Sequence, residues 1–396
     1  MLLDNDIEKL IAPLVNRQSE INDYVISIIA KRIKEIGTML PSDVYKLERI
    51  LKAGGDIRLI NNKISNLTGI QIKEIKNIIQ EVAMDAYVDA MPYYDYREQP
   101  FIPLEQNVEL QRIIASVQKQ TVNTYVNLCR VQAFMIRDLR NPKKLKPTPL
   151  AKAYYSVIDE AIQMTQQGTI DYNTAIRRTM QQLSDSGIRS VTYQPQSGRP
   201  YTQRLDTAVR RNILDGIKAI SQGVQDEIGR QIGADGKEIT VHLNSAPDHE
   251  PIQGHQFTNE EYDKLQNNMP FTDVLGNKFS PIERPIGMWN CRHFTYSIIV
   301  GVSKPTYIQE QLSEMMAKNA KGYTDSKGRH YTLYECAQEQ RRLETDIRKM
   351  KDRQQTLQEC GDTDGANKAK AESTKLIKKY YAFSKACGLK TKLDRI

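Results

Sequence analysis

No run of eighteen apolar residues occurs in this 396-residue chain, which excludes a membrane-spanning helix of ordinary length. A secretory leader is not expected either. Asp4, Asp6 and Glu8 interrupt the stretch where a signal peptide needs cationic, then apolar residues. These absences read as a chain made in the cytoplasm and kept there, or assembled into a particle. Cysteine is sparse: Cys129, Cys291, Cys336, Cys360 and Cys387 are scattered, odd in number and form no CxxC pair. Neither a disulfide framework nor a four-cysteine zinc site is expected. Tryptophan occurs once and phenylalanine seven times, against 20 tyrosines. Amphipathic tyrosine suits partly exposed, contact-making surfaces.

An excess of one charge sign is missing from most of the chain. From Lys318 onward there are 19 Lys+Arg against 11 Asp+Glu, while the first 317 residues carry 37 of each. The whole net charge of +8 therefore resides in the tail.

What is abundant is helical periodicity. Ile21, Tyr24, Val25, Ile28, Ile29 and Ile33 recur as one apolar stripe, and Ile72, Ile75, Ile79 and Val82 form another. Pro41-Ser42-Asp43 reads as a stop followed by a fresh cap, and Gly54-Gly55-Asp56 and Thr68-Gly69 punctuate two further helices. A tyrosine-rich loop at 92–103 precedes a helical region from Glu105 to Arg140. Pro142, Pro147 and Pro149, interleaved with lysines, predict a linker. Short strands then appear: a hairpin across Pro195-Gln196-Ser197-Gly198, an alternating segment Glu238–Leu243, a pair around Phe271–Phe279, and Phe294–Val302. Helices are expected at 205–232 and 259–266. Two more pair around Gly361–Gly365, with stripes Leu343, Ile347, Met350, Leu357 and Leu376, Ile377, Tyr380, Phe383. The expected fold is mainly α: a helical N-terminal domain (1–147), a helical connector (148–187), a small α+β module (188–305) and a basic C-terminal helical hairpin (306–396).

One cluster could carry chemistry. Four of the five histidines fall between His242 and His293, with Asp248, Cys291 and the single Trp289. Imidazole and thiolate are zinc ligands, so His242, His249, Cys291 and His293 are metal candidates, although the spacing is not that of a finger and no HExxH is present. Asp248, His249, Asn290 and His293 have the residue types of an HNH-type nuclease, but about forty residues separate the halves. A Cys291 nucleophile paired with His249 or His293 is a further alternative, with no oxyanion hole evident. The reading that the spacing favours has no catalytic residue and no required cofactor: these side chains pin irregular loops by hydrogen-bonding backbone groups. Zinc is an ion the cluster could hold. In the tail, Lys375, Lys378, Lys379 and Lys385, beside Tyr380 and Tyr381, are candidates for non-specific phosphate contact with DNA, or an ordinary solvated face.

Several strings together resemble a known family. They include Arg204, Arg210-Arg211-Asn212, Ile232-Gly233-Ala234-Asp235-Gly236 through Val241, and Ser245-Ala246-Pro247-Asp248-His249 with Gly254. Trp289-Asn290-Cys291-Arg292-His293 and the tail strings Gln340-Arg341-Arg342-Leu343-Glu344, Ile347-Arg348, Tyr380, Phe383-Ser384 and Gly388-Leu389 complete the set. This pattern resembles the phage minor capsid protein family of the minor capsid protein 2 type, related to phage Mu F-like head morphogenesis proteins; residues 188–305 would be the Mu F-like module. The family motif falls on Asp248, His249, Gly254, Asn290, Cys291, Arg292 and His293. Two positions depart from it: Ile252 stands where relatives carry an aromatic, and His293 where Mu F-like proteins carry a second Cys. The resemblance implies a non-enzymatic minor structural component of a tailed-phage head, made in the bacterial cytoplasm. It implies a place near the portal, contacts with portal and other capsid proteins, a part in head assembly, and packaging with DNA. The alternative is a metal-dependent nuclease or other hydrolase built on the His/Asp/Cys cluster.

Overall fold

A computed structural model describes residues 4–37, 54–89, 94, 100–138, 141–167, 180–181, 183–192, 201–287, 291 and 293–396. Helices α1 (Asp4–Gly37), α2 (Gly55–Val88), α3 (Val108–Arg130) and α4 (Leu150–Gln167) make up most of the N-terminal half. The stripe read from α1 is its core face: Ile21, Val25, Ile29 and Ile33 are buried, with Tyr24 and Ile28 packed at the margin. Polar pins set the helix register inside this bundle. Gln18 donates to Gln71 Oε1 at 2.6 Å, and Gln71 donates to the Leu14 carbonyl at 2.8 Å. Such buried amides must be satisfied, so each favours one alignment of the helices.

Helix α2 does not break at Thr68-Gly69. The Thr68 hydroxyl donates back to the Ile64 carbonyl at 2.7 Å, and buried Leu67, Gln71 and Ile75 carry the packing face straight through. A glycine there costs about 1 kcal/mol relative to alanine, which continuous burial outweighs. The tyrosine loop is corrected as well. Tyr94 is a core residue, 2% exposed and edge-on to Tyr87 and Phe101, rather than part of a contact surface. Pro41–Asp43, Tyr93 and Tyr96 lie outside the described residues.

The expected helix to Arg140 and linker at Pro142–Pro149 are replaced by a hairpin. β1 (Gln132–Asp138) and β2 (Asn141–Pro149) join β3 (Arg189–Thr192) and β4 (Tyr201–Arg204) in a four-stranded antiparallel sheet of order β2-β1-β3-β4. A strand with three prolines can only be accommodated at an edge, and β2 is an edge strand. The β3–β4 pair is the expected hairpin; its turn falls outside the described residues.

Helix α5 (Leu205–Ile232) is shared by two regions. Val209, Ile213, Ile217, Ile220, Val224 and Ile228 complete the N-terminal core. Gly229 on the same helix meets the second sheet, formed by β5 (Gly236–Ile239), β6 (Gln256–Thr258) and β9 (Thr295–Ile298) in the order β6-β5-β9. With α6 (Asn259–Gln266) and the ribbon β7 (Phe271–Thr272)–β8 (Lys278–Phe279), this sheet encloses a small core including Ile239, Phe257, Leu265 and Phe271.

Helix α7 (Gln309–Lys321) and the ribbon β10 (Tyr323–Thr324)–β11 (His330–Tyr331) lead to the C-terminal hairpin, α8 (Leu333–Glu359) and α9 (Thr363–Ala386). A capping box starts α8: Thr332 Oγ1 accepts from the Glu335 N–H at 3.2 Å, and Glu335 Oε2 accepts from the Thr332 N–H at 2.8 Å. Leu343, Ile347 and Tyr380 form the hairpin's own core. Charge ties the hairpin to the bundle: Arg348 meets Asp206 at 2.7 Å, Arg204 meets Asp352 at 2.9 Å and Arg353 meets Asp185 at 2.6 Å. The fold is mainly α with a small α+β middle region.

Candidate functional site

The register of the second sheet assembles the cluster. β5 and β9 pair antiparallel with Ile239 opposite Thr295, so the loop leaving β5 and the loop entering β9 emerge side by side. The first carries His242, Ser245, Asp248 and His249; the second carries Cys291 and His293. Adjacent strand ends thus bring together side chains as far apart in the chain as His249 and Cys291, 42 positions.

Three of the four metal candidates converge. Cys291 Sγ lies 3.3 Å from His249 Nδ1 and 3.4 Å from His293 Nδ1. His249, Cys291 and His293 are 1%, 4% and 3% exposed. His242 is left out of this group: its half-buried ring stands edge-on to His293 with centroids 4.9 Å apart. The fourth histidine of the region, His255, is engaged elsewhere, with Nδ1 2.7 Å from Asp273 Oδ2.

The surroundings orient both rings. His249 Nε2 donates to the Arg284 carbonyl at 2.7 Å. Asp248 clamps the Arg284 guanidinium, with Nε–Oδ2 at 2.9 Å and a second bond from the terminal nitrogen to Oδ1. The Asp248-His249 pair therefore holds one loop against another through one arginine. His293 Nε2 faces Gln253 Oε1 at 3.3 Å and Ser245 Oγ at 3.4 Å. Gln253 Oε1 also accepts the His242 backbone N–H at 2.9 Å. Gly254 has φ +76°, and a Cβ there would sit 2.5 Å from Leu312 Cδ2, so the position needs glycine on both counts.

Burial pulls the His249 imidazole down, but the adjoining Cys291 thiol and the Arg284 carbonyl outweigh it and raise its pKa. Burial pushes the Cys291 thiol up, yet the His249 contact holds it below its usual range. Burial, followed by the positive potential of His242 and His249, drives His293 down to about 2, so that ring is neutral. The set can thus donate two imidazole lone pairs and a thiolate to one point. It is poorly arranged for the nuclease reading, because Asp248 is committed to Arg284 on the far side of His249. Asn290 and Arg292, with Trp289, lie outside the described residues.

No sequence signal singles out Arg284, which is 36 positions from Asp248. Gln253 and Ser245 are next to motif residues, but only the fold shows them walling the cluster. Further strings converge elsewhere. Arg210, Arg211, Arg341, Glu344 and Arg348 share the wall of a cavity of about 640 Å³ between the bundle, the middle module and the hairpin. His293 borders a separate cleft of about 940 Å³ with Lys218, Gln222 and Tyr262. On α9, Lys375, Lys378, Lys379 and Lys385 are exposed, with Glu372 3.8 Å from Lys375.

The sequence profile of phage minor capsid protein 2 matches residues 2–383, nearly the whole chain and not only the middle module. The chain belongs to the phage minor capsid protein 2 family. No curated protein and no solved structure matches it. As a phage minor capsid protein it is a structural component of the virion, associated with other capsid proteins. Among its described residues no helix is long and apolar enough to cross a membrane.

Proposed function

We propose that this minor capsid protein is a non-catalytic head component that sits near the portal and assists head assembly. The observation that supports a structural role is the deep burial of His249, Cys291 and His293, the only group of three or more closely placed metal-ligating side chains among the described residues. A hydrolase would need such groups to be reachable by substrate, and His293, although it borders the cleft beside α5, is only 3% exposed. Here their outer nitrogens are used on a backbone carbonyl and a glutamine. The test is assembly in the presence of the portal protein. The chain is expected to co-sediment with purified portal rings and to remain with DNA-filled heads when tails are removed. Recovery with tails alone, or metal-dependent cleavage of plasmid DNA by the pure chain, would favour the other class of function.

The exposed lysine face of α9 supports a further part of this reading, contact with packaged DNA through phosphate. Binding to duplex DNA is then expected to be independent of sequence and to weaken with salt. Replacing Lys375, Lys378, Lys379 and Lys385 by alanine should reduce the slope of log affinity against log salt by up to about 3–4. An unchanged slope in a folded variant removes α9 from any DNA contact.

A further inference from the structure

We propose that His249, Cys291 and His293 form a zinc site that staples the two loops of the middle module. This goes beyond the capsid role and does not depend on it. Geometry is the first support. Zinc–sulfur and zinc–nitrogen bonds of about 2.3 and 2.0–2.1 Å give a tetrahedron whose S···N edges are roughly 3.5 Å. The two Sγ···Nδ1 separations, 3.3 and 3.4 Å, are close to that edge.

Ring orientation is the second support. Gln253 Oε1 is fixed as an acceptor because the His242 backbone N–H donates to it, so the His293 Nε2 that faces it at 3.3 Å is the donor of that contact. His249 likewise spends its Nε2 hydrogen on the Arg284 carbonyl. Both Nδ1 atoms therefore face Cys291 Sγ, and three metal-ligating atoms converge in one buried place. A cation at their centre would satisfy all three together. The outer N–H bonds to a carbonyl and an amide oxygen are those that fix metal-ligating imidazoles. One thiolate with two imidazoles suits zinc better than magnesium or calcium.

The module has reason to need such a staple. Its loops are long and irregular and its core is small, so cross-linking 249 to 291 and 293 limits the chain where apolar burial is scarce. Binding releases the Cys291 thiol proton to solvent and forms the zinc–thiolate bond. Three protein donors leave one vertex of the tetrahedron, and His242 is the nearest further imidazole.

The full chain, purified after growth with added zinc, is expected to carry one zinc per molecule by elemental analysis. After chelation and reloading with cobalt(II), it should show a thiolate-to-metal charge-transfer band and tetrahedral d–d absorption. Cys291→Ala should abolish the band and lower zinc content at least about tenfold, whereas Cys336→Ala should change neither. Chelation should raise hydrogen exchange across 236–298 and spare the N-terminal bundle. A chain that takes up no zinc, a cobalt complex without the thiolate band, or a band that survives Cys291→Ala overturns the assignment. The wild-type cobalt spectrum decides the matter even where the variant does not fold.

Discussion

Asp206→Ala is expected to destabilise the chain by roughly 3–5 kcal/mol, read as a lowered urea midpoint at pH 7. Asp206 is 4% exposed on the first turn of α5. Its Oδ2 is 2.7 Å from Arg348, its Oδ1 is 3.6 Å from Arg204, and Oδ1 also accepts the Thr207 N–H at 2.6 Å. Alanine would take from Arg348 the carboxylate it bonds at 2.7 Å and leave Arg204 with Asp352 alone, at the junction between bundle and hairpin. It would also remove a negative charge from a helix N-terminus. The pH dependence follows from sign. Burial pushes the Asp206 carboxyl up, but Arg348 and Arg204 outweigh it and hold it below the usual range. The stabilisation is therefore complete above the unfolded value, near 4, and is lost as pH falls through the folded value. The gap between wild type and Asp206→Asn should close in acid. A gap under about 1 kcal/mol at pH 7, or one that widens in acid, contradicts this account. Asp23 contributes with the opposite sign. Burial, then nearby Asp352, pushes it up to about 6, so its ionisation costs stability above that value and the cost lessens on mild acidification.

Gly229→Ala is expected to cost roughly 1–3 kcal/mol, despite alanine's advantage of about 1 kcal/mol as a helix former. A Cβ at Gly229 would lie 2.2 Å from Ser297 Oγ and 2.5 Å from Ser297 Cβ. Ser297 belongs to β9 and donates its hydroxyl to the Gln225 carbonyl of α5 at 2.9 Å, so helix and strand are in close contact here. Since β9 leads directly from Cys291 and His293, displacing it should also loosen the cluster. Thermal unfolding should show a loss for Gly229→Ala that Ser297→Gly partly reverses in the double variant. Additive losses in the two single variants would mean that this contact is not the cause.

Much of the helical architecture was legible because helix and cap signals are local. The stripe from Ile21 to Ile33 needs no partner to be recognised, only a period, and the Gly361–Gly365 turn between two stripes announces a hairpin. Thr68-Gly69 misled for the same reason: a local breaker was overruled by burial on both sides of it. Pro142–Pro149 looks like a linker until a sheet offers it an edge, and Tyr94 looks like surface until Tyr87 and Phe101 enclose it. At the site, the residue types were legible and the partners were not. His242 has the right chemistry and stands just outside the group, while Arg284 has no local mark and supplies both the carbonyl for His249 and the cation for Asp248.

By itself the sequence determined that the chain is mainly α, that its excess charge lies in the tail, and which short stretch concentrates imidazole and thiol groups. Each of these depends on composition or on spacing within a few turns of chain. The tertiary structure decided that α5 serves two cores, that Arg348 and Arg204 close on Asp206, and that Cys291 meets His249 and His293. Those pairings depend on the register of β5 against β9 and on how helices dock, and such long-range choices are set by burial and charge neutralisation across the whole fold.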